Sequence, residues 1–382
     1  MDFDLSKEQE MLRKEVRKFA RKEIAPVAGD LDRREEFSPE LTRKMGEIGL
    51  FGMIVPERYE GQEMDYLSYI LAVEELARVD GSQAATVAAG NSLGIGPLYY
   101  FGSEEQRKKY LPKLCRGEAL WGFGLTEPSA GSDAGGSQTT AVKDGNEWVI
   151  NGSKIFITNS ASEMTLGVTV QAITGTKESG KPEHTCFLVE QGTKGLQAVP
   201  MHGKMMWRGS NTGELYLDDV RVPQENVLGR QGDGFHQMLQ TLDGGRLSIA
   251  AMGLGGAQGA YEKALEYAKK REQFGQPISK FQAVGFKLAD SAMEIECARN
   301  LLYKACWLRD RDRPFAKEAA MAKLYCSEAM NRVADRSVQI HGGYGLMQDY
   351  EVERFYRDQK LLEIGEGTSE VQRIVISRYI GC

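Results

Sequence analysis

The sequence predicts a mainly α protein with a β domain in its middle. An N-terminal α-helical domain is expected over 1–119, an antiparallel β-barrel or sandwich over 120–232, and a C-terminal four-helix bundle over 233–382. Three observations carry this. Apolar residues recur at helical spacing as far as Leu114, short β-rich runs divided by turn dipeptides replace them around Trp121, and the helical period returns at Phe235 and stays. With 382 residues, the chain exceeds one compact core and fits two or three domains that share interfaces.

In the first part, Ser6 with Gln9 makes a capping-box signature, Leu12, Val16, Phe19 and Ile24 follow at helical spacing, and Pro26 is expected to close the segment. Ser38 before Pro39 opens a second helix with Leu41, Met45 and Ile48 on one face and Gly49 at its end. Met64 to Ala77 and Gln83 to Tyr100 read as further helices, and Ser103 with Gln106 opens another towards Leu114. From Gly81 to Gly102 there is no charged side chain, which predicts a stretch lining a core or an apolar pocket; Asn91 within it is a candidate substrate contact.

In the middle part, Asp144-Gly145 and Asn151-Gly152 are hairpin signals bracketing Trp148, Val149 and Ile150, and Ile155 to Thr158 continues the next strand. Leu166 to Ile173, Thr185 to Val189, Leu196 to Met201 and Glu214 to Val220 are further strands, before a turn-rich exit from Pro223 to Gly234. The last part predicts three long helices, roughly Gly234 to Arg271, Ser279 to Arg309 and Phe315 to His341, with a final helix from about Ser369. Gly253, Gly255, Gly256 and Gly259 suggest a dinucleotide fingerprint, but Gln258 breaks the pattern and the context is mid-helix, so close helix packing is expected instead.

Composition narrows the function classes. Hydrophobic residues make up 41% and charged residues 27%, and no apolar run approaches the roughly 18–20 residues of a membrane span. The N-terminus, MDFDLSKEQEML, has neither the apolar core of a secretion signal nor the Arg and Ser bias of a transit peptide, so cytoplasmic residence is the expectation. A net charge of -6 argues against a general nucleic-acid binder. Six cysteines without a CxxC read as reduced thiols, and four scattered histidines without ligand spacing predict no metal.

The stretch richest in chemistry is LLEIGEGTSEVQR, Leu361 to Arg373. Glu366 stands between two glycines, and Thr368, Ser369, Glu370 and Gln372 resemble a capping box opening the last helix. Flanking glycines let a ligand approach the backbone, and a helix start offers free N–H groups to a polarised oxygen. The arrangement suits proton abstraction beside a carbonyl, while an ordinary turn glutamate is the alternative on these residues alone.

Four further segments stand in order along the chain: WGFGLTEPSAGSD from Trp121, SKIFITN from Ser153, REQFG from Arg271 and QIHGGYG from Gln339. Together with IGEGTSEVQR they resemble the acyl-CoA dehydrogenases over the whole chain. The resemblance implies non-covalent FAD. Phe123, Leu125 and Thr126 would bond the polar edge of the flavin, Phe156 and Thr158 would cover the ring near N5, and Ser132, Thr368 and Glu370 are further candidate cofactor contacts. Glu370 departs from the neutral amide of several relatives. Arg271, Phe274, Gln339 and Gly343 match positions that reach the cofactor of a neighbouring subunit, implying a homotetramer built as a dimer of dimers.

The resemblance also implies an acyl-CoA substrate. Ser132 would lie near its phosphopantetheine, Asp243 near the pantetheine and Arg246 at the adenine end, with Gly365 and Gly367 beside the acyl group. Glu366 is the matching catalytic base, and the family's alternative base position is occupied here by Gly245. Its thioester oxygen would be held by the N–H of the base residue and a ribityl hydroxyl, with hydride passing to flavin N5 and electrons to electron-transferring flavoprotein. Gly365 replaces a tyrosine of several straight-chain enzymes and suggests width for a branched or cyclic acyl group. Met206 departs from a more usual glycine. The uncharged span 81–102 counts against a dicarboxylyl substrate. An oxygen-reactive flavin oxidase on the same fold and a non-catalytic nucleic-acid-associated relative are the alternatives.

Overall fold

The computed structural model describes residues 4–382. Helix α1 (Lys7–Phe19) opens with the expected capping box: the Gln9 N–H donates to Ser6 Oγ at 3.2 Å, and the Ser6 N–H donates to Gln9 Oε1 at 3.0 Å. Pro26 does not close the segment. A π-helical turn over Ala20–Ile24 leads into α2 (Ala25–Arg34), and Pro26 falls in its first turn, where a missing N–H costs little. Helices α3 (Pro39–Glu47), α4 (Tyr66–Ala77) and α5 (Gly81–Ala89) are capped by Ser38, Asp65 and Asp80. A second π-helical turn, Gly90–Ile95, divides the expected Gln83–Tyr100 helix and leads to α6 (Gly96–Phe101). Helix α7 (Glu104–Cys115) begins with the Ser103–Gln106 box.

The middle of the chain supplies β1 (Leu120–Gly124), β2 (Thr140–Asp144), β3 (Glu147–Thr158), β4 (Thr165–Thr176), β5 (Pro182–Glu190), β6 (Leu196–Pro200), β7 (Thr212–Pro223) and β8 (Val227–Leu228). They form one eight-stranded sheet in the order β6-β7-β3-β2-β4-β5-β8, with β1 added to β4. Pairing is antiparallel except for β1 on β4 and the single β2–β4 step, which are parallel. Asp144-Gly145 makes the expected β2–β3 turn, but Asn151-Gly152 is not a hairpin. There β3 runs on through a register shift between Ile150 and Gly152, and a β-carbon on Gly152 would lie 2.8 Å from the Thr139 Cα, so the glycine serves close backbone approach.

Helix α8 (Gly234–Lys270) is the 37-residue spine of the last domain. A short hairpin of β9 (Glu272–Gln273) and β10 (Gln276–Pro277) turns the chain into α9 (Gln282–Arg309), α10 (Ala316–His341), α11 (Val352–Leu362) and α12 (Ser369–Tyr379). Helix α11 adds to the elements expected from sequence; Val352, Phe355 and Leu362 bury its apolar face. The glycines of α8 are packing residues. β-Carbons at Gly255 and Gly259 would strike the Glu74 and Arg78 carbonyls beside α4, and one at Gly253 would meet the Cys326 carbonyl of α10 at 2.8 Å.

Buried polar contacts join the three parts. The Trp207 N–H donates to Asp358 at 2.8 Å, Arg357 pairs with Asp32 at 2.6 Å, and Gln106 donates to the Glu225 and Val227 carbonyls at 2.7 and 3.0 Å. All six cysteines are free thiols. Among the described residues, no helix is long and apolar enough to cross a membrane, and no group of three His, Cys, Asp or Glu side chains is placed to hold a metal.

Candidate active site

Between α11 and α12 the backbone turns through Glu366 at φ +53° and Gly367 at φ +93°. A left-handed glutamate costs about 1 kcal/mol and persists only where its surroundings hold it. Here they do. The Gly365 N–H donates to the Leu361 carbonyl at 2.7 Å, the Ser369 N–H to Glu363 at 2.9 Å, and the Val371 N–H to Thr368 Oγ at 3.2 Å, capping α12. Buried Gln372 donates to the Gly367 and Glu366 carbonyls at 2.8 and 3.3 Å, and Lys323 Nζ on α10 donates to the Gly367 carbonyl at 2.7 Å.

The Glu366 carboxylate projects against Gly245 of α8, where a β-carbon would overlap it. Its Oε2 is buried and has no hydrogen-bond partner. Burial pushes the Glu366 pKa up to about 7, against the lowering influence of the Lys323 and Arg246 charges. A carboxylate in this state is poised for proton transfer near neutral pH.

Arg246, expected at the adenine end, follows Gly245 on α8. It is buried, its charge acts directly on Glu366, it pairs with Asp243 one turn earlier on α8, and its Nε has no partner. Arg246 and Asp243 therefore form an ion pair on the face of α8 that carries Gly245 and meets the Glu366 link. Asn91, expected as a substrate contact, is held by its own chain. Its amide donates to the Leu50 and Val87 carbonyls at 2.8 and 3.0 Å and accepts from the Met53 N–H at 3.1 Å, so it braces the second π-helical turn and has no donor left for a ligand.

The uncharged span 81–102 does not by itself set the charge of the cavity it lines. A cavity of about 20 Å³ is bounded by Tyr69, Asn91, Ser92 and Gly244, and Arg309 of α9 reaches it from another domain. The guanidinium lies 3.8 Å from the Tyr66 ring centroid and donates to Tyr100 Oη at 3.0 Å. Arg309 thus adds a cation beside a span that has none of its own. A β-carbon at Gly365 would have the Leu361 carbonyl and side chain as its nearest neighbours, at 3.4 Å or more, which is ordinary van der Waals contact.

Two of the segments expected at the flavin meet where the chain leaving β1 crosses β3. The Ile155 N–H donates to the Thr126 carbonyl at 3.0 Å, which sets Phe123, Leu125 and Thr126 beside Phe156 and Thr158. Behind them the fully buried Lys154 reaches the Leu125 carbonyl at 3.3 Å and Glu127 at 2.7 Å. Phe156 has φ +61° and is 63% exposed. A bulky aromatic ring held out by strained backbone, beside a mostly apolar edge carrying a hydroxyl, fits a planar ring with one polar side. Ser132 is exposed on the loop beyond.

Arg271, Phe274, Gln339 and Gly343 are not gathered with these. Arg271 ends α8 about 39 Å from Gly245, at 1.5 Å rise per residue. It lies instead beside Tyr344, with the guanidinium 5.8 Å from the ring centroid, and Phe274 nearby is 94% exposed at φ +52°. Glu370 is exposed at the start of α12.

Sequence reasoning missed Lys323. The signal was present: Lys323 falls on the apolar stripe of α10 with Ala319, Cys326 and Met330, where a lysine is fully buried only for a reason. Gln372, whose buried amide ties the Glu366 link to α12, looked like a capping residue.

The comparisons with known proteins agree with this architecture from end to end. Models of the acyl-CoA dehydrogenase N-terminal, middle and C-terminal domains match residues 6–118, 122–220 and 232–381. The probable acyl-CoA dehydrogenase YngJ of Bacillus subtilis (strain 168) is 54% identical over 380 residues, covering 100% of both chains. Butyryl-CoA dehydrogenase from Megasphaera elsdenii superposes with a TM-score of 0.96 at 43% identity, again covering 100% of both chains. A chain in the structure of the electron transferring flavoprotein of Acidaminococcus fermentans does so at 0.96 and 45%, with the same coverage. The chain belongs to the acyl-CoA dehydrogenase family, FAD-dependent oxidoreductases that act on acyl-CoA.

Proposed function

We propose that this protein converts a short, branched or cyclic acyl-CoA to the 2,3-enoyl-CoA, with Glu366 as the base that removes the α-proton, and passes the electrons to electron-transferring flavoprotein. The observation that carries this is the half-buried Glu366, whose buried carboxylate oxygen Oε2 has no partner and is pressed against Gly245. An oxygen so placed, with its pKa pushed up to about 7, has both the free lone pair and the basicity that a weakly acidic thioester α-carbon demands. FAD, when bound, supplies the acceptor for the hydride leaving the β-carbon. Arg246 and Lys323 place positive charge beside the carboxylate and so favour its ionised form.

Short acyl groups are supported by the likeness to butyryl-CoA dehydrogenase, and branched or cyclic ones by the absence of a side chain at Gly365. The electron-transferring flavoprotein assignment rests on the Acidaminococcus fermentans neighbour. Arg271 and Phe274, exposed and far from Glu366 along α8, support a homotetramer in which each subunit completes another's cofactor site. The test is an anaerobic titration of the FAD-loaded protein with butyryl, isobutyryl, 2-methylbutyryl, cyclohexanecarbonyl, octanoyl and glutaryl CoA esters, following bleaching of the flavin band. Bleaching by one of the first four supports the reading. Bleaching by glutaryl or octanoyl ester alone revises the substrate class, and bleaching by none overturns it.

A further inference from the structure

The Glu366 link is held from beneath by an unusual partner. Lys323 is fully buried in α10, and its ammonium donates to the Gly367 carbonyl, the peptide immediately after the proposed base. A buried ammonium without a carboxylate in hydrogen-bond range is costly, and ordinary packing would place a leucine or methionine on this stripe. Among the salt bridges of the described residues, Lys323 has none; Glu366 is the acidic group that acts on it most. We infer that Lys323 is a positioning residue for the reaction, holding the Gly367 carbonyl and supplying the positive charge that keeps the Glu366 carboxylate ionised in its buried site.

This inference rests on the reading of Glu366 as the base and deepens it. The groups facing that carboxylate are few. Lys323 comes from α10 and Arg246 from α8, Asp243 already engages Arg246, and Tyr69 of α4, itself close enough to interact with Glu366, donates its hydroxyl to the Ala88 carbonyl at 2.9 Å. Around Lys323, Glu363 is taken up by Lys360 at 2.6 Å and Asn331 at 2.9 Å, and Glu370 is exposed. Burial pulls the Lys323 pKa down to about 8, still above that of Glu366, so between the two values both groups carry charge. Arg246 alone cannot replace this charge, because Asp243 partly neutralises it.

The experiment is the pH profile of single-turnover flavin reduction by butyryl-CoA in FAD-loaded wild type, Lys323→Gln and Lys323→Arg, with FAD content and melting temperature checked for each. Glutamine keeps a donor for the Gly367 carbonyl and removes the charge; arginine keeps the charge. The expected result is an acidic limb displaced upward by about 1 pH unit or more in Lys323→Gln, the effect of losing a nearby opposite charge, and by much less in Lys323→Arg. Lys323→Ala gives an independent reading: methylammonium, but not sodium chloride at equal ionic strength, moves its limb back down. A uniform rate loss with an unmoved limb overturns the inference, and so does failure of all three variants to fold, which would make Lys323 purely structural. The base assignment fails separately, if Glu366→Gln is reduced at a near-normal rate.

Discussion

Gly245 of α8 and Glu366 of the α11–α12 link meet so closely that any β-carbon at 245 would take the space of the Glu366 carboxylate. The contact makes residue 245 a control on where the carboxylate points. Gly245→Ala is expected to retain FAD and slow flavin reduction by about 10²-fold, the cost of misplacing a reacting group by about 1 Å. Stopped-flow reduction by a preferred acyl-CoA measures it; an unchanged rate would show that the carboxylate has room to move.

Glu366→Gln is expected to keep FAD and acyl-CoA binding while losing flavin reduction by about 10³-fold or more, near the upper end of a general base's contribution. It should also be the more stable protein at alkaline pH. The folded-state pKa of Glu366 is raised to about 7 from 4.5, so the folded chain binds the proton more tightly than the unfolded one, and stability falls as pH rises through that window. At pH 8 the wild type bears the full penalty, up to about 3 kcal/mol for a shift of this size. The gap in melting temperature between variant and wild type should shrink from pH 8 to pH 5. A gap that grows towards acid would contradict the burial argument.

Gly365→Tyr should fill the space beside Leu361. Reduction by isobutyryl or cyclohexanecarbonyl ester is expected to drop about tenfold or more relative to butyryl ester, within the range that one steric change in a pocket can supply. Equal losses for all esters would place the acyl group elsewhere.

Arg271→Ala tests the shared cofactor site. FAD content after gel filtration should fall, and the variant's melting temperature should depend on added FAD more steeply than that of wild type, as expected for a ligand that binds only the folded state. Full FAD retention would remove Arg271 from the cofactor's surroundings. Mixing Arg271→Ala subunits with Glu366→Gln subunits should recover part of the lost activity if the two residues serve one site from different chains.

Much of the fold was legible because local rules and tertiary packing agree. The capping boxes at Ser6 and Ser103, the Asp144-Gly145 turn and the three long helical periods all appear where side-chain chemistry next to the backbone predicts them. Two local signals are overruled, one by a long-range contact and one by an irregular turn beside it. Asn151-Gly152 carries a hairpin's dipeptide, but Thr139 presses on Gly152 and the strand runs on. Pro26 looks like a stop, but a π-helical turn ahead of it leaves its missing N–H in a first turn.

By itself the sequence determined the order helical, β, helical, the glycine-flanked carboxylate at a helix entrance, and the family to which those segments point, because each depends on residues close together in the chain. Tertiary structure alone decided what surrounds Glu366. Lys323, Arg246 and Gly245 lie 43 or more positions away from it in sequence, and only the packing of α8 and α10 against the link gives a turn glutamate a buried carboxylate oxygen and a raised pKa. The same is true of Arg309, which brings charge to a cavity whose own segment has none, and of Asn91, whose amide is consumed by the backbone it braces. Desolvation and charge proximity act through space, so neither composition nor spacing records them.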